Sequence, residues 1–358
     1  AEAAPAVLKE RSGDESWTAW CGGTSFEQLL ETMDLVDARY LVALGEAGGV
    51  VPRWQELPQE ARITPARLWW LRGWTWTFTL PVLVLSYPWL DREHPDRLGE
   101  QLRRIVPILS ALLASAREVG GEHQTVGVAW DYACLPQKPY ATDGEHERFK
   151  RGLSAINRWY SHPHTIVLLC TGALPTGTAY RSVRPYEARG WCRFEIRISS
   201  VVKHKNNLWD LSRYAGAAEL YGCARQMKAR RPPPMSPNQV AREIRDGVSS
   251  GELAFTASAD MDLVLTQYCE GFERAISAYR ETAGTKVDRI SYGGIGWTAD
   301  EFPVVRAAIA YALERCRPVT VTEFWLAGNF DELMLAEIQD MVAKANVPNL
   351  LYRKPALS

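Results

Sequence analysis

Between residues 81 and 202, short and wholly apolar runs alternate with longer segments in which apolar residues recur every three or four positions. This alternation constrains the fold more than any other feature. A strand that is apolar on both faces must be covered on both, and the amphipathic helices between such strands are what covers it. Residues 81–87 read as a first strand. Residues 97–116 read as a helix with Leu98, Leu102, Ile105, Leu109 and Leu112 on one side and Pro107 as a site for a kink. A second strand over 125–130 runs into the loop 131–137, and a helix over 145–160 turns Phe149, Leu153 and Ile156 inward. A third strand covers 165–170, and a helix over 191–202 follows a Gly- and Pro-rich loop. Repeated strand–helix–strand units of this length give a parallel sheet with helices on both faces, so the expected fold class is α/β.

At about 100–200 residues per domain, a chain of 358 residues with 46% apolar positions suggests two or three domains. The balance of 41 Lys and Arg against 42 Asp and Glu leaves a net charge of −1, which excludes a broad nucleic-acid-binding face. Seven cysteines make an odd count without a CxxC spacing, which argues against a disulfide framework and a zinc ribbon; no metal site is expected. His162-Pro163-His164 has ligand-like spacing but no third ligand nearby and reads as a loop at the surface. Residues 68–90 carry a single charge, Arg72, yet Gly73, Pro81 and the alternation of Thr75, Thr77 and Thr79 with apolar neighbours read as strands and not as a transmembrane span. The total of 14 tryptophans is high, and Trp69, Trp70, Trp74 and Trp76, with Trp325 and Asn329 further on, are candidates for a surface that meets another protein or a membrane face. The Ala- and Pro-rich start suits a trimmed amino terminus. From it follows an expected intracellular home, either the cytoplasm or, after loss of a transit peptide, an organelle such as the plastid.

Punctuation divides the chain further. Residues 1–71 read as an extension of helices and loops, with one apolar helix over 26–44, and 72–227 as the α/β domain. Residues 228–237 read as a stiff Pro-rich linker whose Arg230 and Arg231 are solvated, 238–284 as a helical connector, and 285–358 as a repeat-bearing segment. Ser236, Pro237 and Gln239 form a capping box at the start of the connector, and Val264, Tyr268, Phe272 and Ile276 line one side of its next helix. Val287-x-x-Ile290-x-Tyr292 recurs as Val321-x-x-Phe324-x-Leu326-x-x-Asn329 and partly as Val347-x-x-Leu350-x-Tyr352, with helical segments between the copies. That is leucine-rich-repeat spacing, in which the Asn side chain bonds backbone groups at a turn.

Three short stretches carry a family resemblance. Leu85-Ser86-Tyr87 at the end of the first strand, Trp130-Asp131 to Leu135-Pro136-Gln137 after the second, and Arg189-Gly190-Trp191-Cys192-Arg193-Phe194-Glu195 at the third helix resemble the three boxes of a Toll/interleukin receptor (TIR) domain. The most specific is the last, where Trp191 and Glu195 match the WCxxE signature. The resemblance covers about residues 78–225 and implies a flavodoxin-like sheet. The whole chain also resembles proteins of algae and protists that couple a TIR-like domain to leucine-rich repeats. In TIR enzymes the glutamate matching Glu195 helps cleave the bond between nicotinamide and ribose in NAD. A fixed carboxylate suits that step, because loss of nicotinamide develops positive charge on the ribose. On a helix Trp191, Glu195, Ile198 and Val202 share a face, so partial desolvation should raise the pKa of Glu195. The alternative is a helix-start glutamate stabilised by the dipole and paired with Arg189 or Arg193.

The resemblance makes Ser86, Tyr87, Trp89, Trp130 and Trp191 candidates for holding the nucleotide. In the NAD-cleaving relatives, however, polar or basic residues usually follow the first strand, where Pro88 and Trp89 stand here. No cofactor is required on either account, and NAD enters only as a substrate. On sequence the leading reading is therefore an interaction or scaffold subunit of a multi-subunit assembly. The alternative is an NAD glycohydrolase that uses Glu195 and is switched on by self-association of the TIR-like domain.

Overall fold

The computed structural model describes residues 26–63, 81–173, 180–181, 184–277, 289–316 and 323–345. The expected contact tryptophans Trp69, Trp70, Trp74 and Trp76 lie outside these residues, as do Val287, Val321 and the last repeat copy.

Apolar residues that read as one helix form three elements instead: helix α1 (Phe26–Thr32), strand β1 (Leu35–Asp37) and helix α2 (Ala38–Glu46). Asp37 causes the break. Its backbone is extended and its carboxylate accepts from the Arg39 amide at 2.9 Å, so it caps α2 instead of continuing a helix. β1 pairs antiparallel with strand β2 (Arg62–Ile63) on one side, so the extension supplies two strands to the main sheet. Strand β3 (Val82–Ser86), helix α3 (Glu100–Gly120), strand β4 (Gly127–Ala129), helix α5 (Asp143–Ser161) and strand β5 (Ile166–Leu169) follow the sequence expectation closely, while the expected loop after β4 begins with a short helix, α4 (Asp131–Cys134). Helix α6 (Gly190–Ser199) leads to a strand the sequence did not announce, β6 (Leu208–Asp210).

The six strands make one sheet in the order β2-β1-β4-β3-β5-β6. β3 pairs in parallel with β4 on one side and β5 on the other, β5 pairs in parallel with β6, and only the β1 pairings are antiparallel. All five residues of β3 and all four of β5 are buried, as strands covered on both faces must be. The chain steps from β3 to β4, then returns past β3 to β5. The reversal of strand order falls between β3 and β5, and the carboxyl ends of the strands at such a point are the place where open α/β sheets receive ligands.

Helix α7 (Leu220–Met227) packs against α3, and helices α8 (Pro237–Ser249) and α9 (Asp260–Ser277) pack against each other, with α9 also against α5 and α6. The capping box at Ser236 is present, and Val264, Tyr268, Phe272 and Ile276 are all buried. The segment between α7 and α8 corrects the linker expectation. The Ala229 amide donates to Leu208 O at 2.9 Å along the free edge of β6, and Arg231 is 1% exposed. The Arg231 guanidinium donates to the carbonyls of Lys203 and Ser291 and lies 5.1 Å from the Tyr292 ring and 5.7 Å from that of Trp297. A cation buried among carbonyl dipoles and aromatic faces is a fastener, not a solvated spacer. Arg230 pairs with Glu301.

That fastener holds strand β7 (Arg289–Ser291), which pairs in parallel with strand β8 (Glu323–Trp325) across helix α10 (Phe302–Arg315); helix α11 (Glu332–Lys344) follows. Ile290, Tyr292, Phe324 and Leu326 point into the core, and Trp325 between them is 37% exposed. Asn329 Oδ1 accepts from the amides of Ile295 at 3.0 Å and Gly296 at 3.1 Å, while its Nδ2 donates to Tyr292 O and Leu326 O. Removing this side chain leaves a turn with orphaned backbone groups. Asn329→Ala is expected to cost about 2 kcal/mol and to release amide-exchange protection at Ile295 and Gly296; unchanged protection there would contradict the tie. Among the described residues no helix is long and apolar enough to cross a membrane, and the six described cysteines are free thiols.

Candidate functional site

Ser86 ends β3 with no exposed surface. Its hydroxyl donates to Glu195 Oε2 at 2.6 Å, and the Tyr186 hydroxyl meets it from the other side. Glu195 reaches this point because α6 is seated tightly at its first residue. A Cβ on Gly190 would stand 2.2 Å from the Phe255 ring, and the Gly190 amide donates to Ala254 O at 2.9 Å. Only glycine allows that approach.

The Tyr160 hydroxyl, at the end of α5, donates to Leu85 O at 2.7 Å and lies beside the Glu195 carboxyl. Asp131, just beyond β4, accepts from the Tyr87 hydroxyl and from the Tyr132 amide at 2.7 Å. Two carboxyls, three phenols and a serine therefore gather at the carboxyl ends of β3 and β4. Burial pushes Glu195 up to about 8; the Asp131 charge adds to the rise, and the Ser86 and Tyr160 hydroxyls pull against it. Burial raises Asp131 as well, and it holds Tyr87, Tyr160 and Tyr186 well above the usual phenol range. As a whole residue Glu195 is only half-buried; the carboxyl tip is its enclosed part.

The arginines that a helix-start glutamate would use are engaged elsewhere. Arg193 and Arg197 clamp Glu243 of α8 at 3.1 and 2.5 Å, and Arg189 Nε donates to Arg184 O at 3.0 Å. Burial therefore favours the protonated form of this carboxyl, and a cation placed beside it would favour the carboxylate.

The other candidates fall at different depths. Tyr87 belongs to the cluster through Asp131. Trp89 lies on the rim, partly exposed and edge-on to Tyr132 at 5.7 Å. Trp130 has no exposed surface and packs edge-on against Tyr87 at 5.5 Å, which makes it a core ring and not a face for a ligand base. Trp191 points its indole N–H at Asp260 Oδ2, 3.0 Å away, and so joins α6 to the connector. His162 and His164 are buried, which corrects the surface-loop expectation. The carbonyl of His162 and both oxygens of Thr165 accept from the buried ammonium of Lys203 at 2.6 to 3.0 Å, which draws the turn inward. Among the described residues no three His, Cys, Asp or Glu side chains gather as metal ligands.

Sequence reasoning singled out Glu195, Ser86 and Tyr87 but missed Asp131, Tyr160 and Tyr186. Tyr160 carried a faint signal, since a tyrosine that ends a helix's apolar side needs a partner for its hydroxyl. The chain matches no family model, no curated protein and no solved structure.

Proposed function

We propose that the protein is an N-ribosyl hydrolase of the NAD glycohydrolase kind, built on a flavodoxin-like, TIR-like domain, with Glu195 as its catalytic carboxyl. One observation carries the reading: the Glu195 carboxyl bonds Ser86 at the carboxyl end of β3, while Arg189 and Arg193 bond other groups. A helix-start glutamate has no reason to be enclosed there, because desolvating a carboxyl without a cationic partner costs stability.

In the reaction, water oxygen bonds to the ribose C1′ as the C1′–N1 bond breaks. The bonding pair moves onto the pyridinium nitrogen, which leaves as neutral nicotinamide, and the water proton passes to the Glu195 carboxylate. The positive charge of the bound substrate ionises Glu195, and the carboxylate then stabilises the charge that shifts to the ribose ring. Ser86 holds the carboxyl in place, and the Tyr160 hydroxyl and Asp131, the second acid, lie beside it. The expected result is nicotinamide release by the purified chain at high protein concentration, abolished in Glu195→Ala and Glu195→Gln. Release that persists in a folded Glu195→Ala overturns the assignment.

The carboxy-terminal segment supports a second reading, an interaction or scaffold subunit. The parallel β7–β8 pair, the Asn329-tied turn and the exposed Trp325 suit a short leucine-rich-repeat-like face for another protein. The two readings combine without conflict if that face brings copies of the enzymatic domain together.

A further inference from the structure

Ser86 stands between two oxygens with a single proton to give. The Glu195 carboxyl accepts from its hydroxyl at 2.6 Å, and the Tyr186 hydroxyl bonds it from the other side. The sheet fixes the rest of the residue, since Ser86 is paired with Leu169 and its carbonyl accepts from the Cys170 amide at 2.7 Å. What stays free is the rotation of the hydroxyl, which turns to suit its partners.

Tyr186 is placed to govern that rotation. It is 4% exposed, in the turn Tyr186–Ala188 just before α6, and its hydroxyl has a second neighbour, the Cys192 carbonyl, 3.5 Å away. Two orderings of the protons then leave every group satisfied. With Glu195 ionised, Tyr186 donates to Ser86 and Ser86 to the carboxylate. With Glu195 protonated, the carboxyl donates to Ser86, Ser86 to Tyr186, and Tyr186 to Cys192 O. Bonds to an ionised acceptor are the stronger ones, and bonds in a chain strengthen one another, so the first ordering gains more from the phenol than the second. The other titratable groups facing Glu195 are Asp131 and Tyr87 at the ends of β4 and β3, Tyr160 on α5, and the thiols Cys170 and Cys192, with Arg104 acting on the first thiol and Arg189 on the second. Among the described residues, Tyr186 is the one joined to Glu195 by way of Ser86.

We infer that Tyr186 is a positioning residue for the Glu195 carboxyl and acts through Ser86, its phenol setting the direction in which the Ser86 proton is given. Its effect on turnover rests on the hydrolase reading above; its effect on the Glu195 proton does not. The test follows the protonated C=O stretch of Glu195 by difference infrared spectroscopy of the full chain, with nicotinamide release from NAD measured alongside. Tyr186→Phe keeps the ring and removes the hydroxyl, and the Glu195 midpoint is expected to rise by about half a pH unit. A fluorinated tyrosine in place of Tyr186, a stronger donor of nearly the same shape, lowers it. In the Ser86→Ala background Tyr186→Phe produces no further shift. The rising limb of the kcat profile moves up with the midpoint, a loss of about threefold on that limb, while the plateau and KM stay as in the wild type. A merely structural lesion would lower the plateau instead. An unmoved midpoint in folded Tyr186→Phe, or an equal shift with and without the Ser86 hydroxyl, overturns the inference and leaves the hydrolase reading standing. Midpoints that shift as expected without nicotinamide release from any of the proteins overturn the hydrolase and uphold the role of Tyr186.

Discussion

Glu195→Gln is expected to melt higher than the wild type at pH 8 and above while releasing no nicotinamide. The sign follows from linkage. Glu195 is an acid whose folded pKa, about 8, stands above the ordinary 4.5, so its contribution to stability is complete below the lower value and is lost as pH rises through the upper one. Between those limits the unfolded chain ionises while the folded chain must keep the proton. Glutamine has the same shape, still accepts from Ser86 and has no proton to lose. At about 1.4 kcal/mol for each tenfold change in the ionisation equilibrium, and allowing for the partial exposure of the residue, the gain is about 3 kcal/mol at pH 8, and it vanishes near pH 4. A side chain whose removal stabilises the fold and silences the reaction is the signature of a group kept for function. Melting curves of the two proteins from pH 4 to 9 check it, and a variant that melts lower than wild type throughout would show Glu195 to be a structural partner of Ser86.

The second large effect is expected at Arg231. Its guanidinium bridges the Lys203 and Ser291 carbonyls and lies against two aromatic rings, while the indole N–H of Trp297 donates back to Arg231 O at 2.8 Å. Arg231→Ala removes the fork, leaves two buried carbonyls wanting donors and opens a cavity between the sheet and the β7–β8 segment. A loss of about 3–5 kcal/mol is expected in urea or thermal unfolding, with the segment beyond residue 289 loosening first in hydrogen exchange. Arg231→Lys should recover less than half of the loss, because a single ammonium on a flexible stem cannot span both carbonyls and stack between the rings. A loss under about 1 kcal/mol would restore the spacer interpretation of residues 228–237.

The elements that could be read from sequence are those whose burial is continuous or strictly periodic. β3 and β5 are buried on both faces and therefore apolar throughout, and α5 and α9 turn a regular side inward. β6 escaped notice because Leu208-Trp209-Asp210 is only three residues long and follows the polar run Lys205-Asn206-Asn207. β1 was concealed in an apolar stretch with helical spacing, and what decided it was the Asp37 cap, a local hydrogen bond that outweighs propensity. Arg231 misled because an arginine beside three prolines looks solvated; its burial depends on Tyr292 and Trp297, some sixty residues away. At the site, the TIR resemblance carried by Trp191 and Glu195 pointed to the carboxyl, and the one carried by Ser86 to the strand that receives it. The remaining partners come from the ends of β4 and α5 and from the turn at Tyr186, and no local pattern announces a side chain that becomes polar through a neighbour met only after folding.

The most direct measurement is the titration of the Glu195 carboxyl itself, followed by difference infrared spectroscopy of the protonated C=O stretch, wild type minus Glu195→Gln. An enclosed carboxyl bonded to Ser86 and facing Asp131 gives a midpoint of about 8, displaced downward when NAD is added. A midpoint at the ordinary 4.5, unmoved by NAD, would mean that Glu195 is a solvated helix residue and would contradict the site.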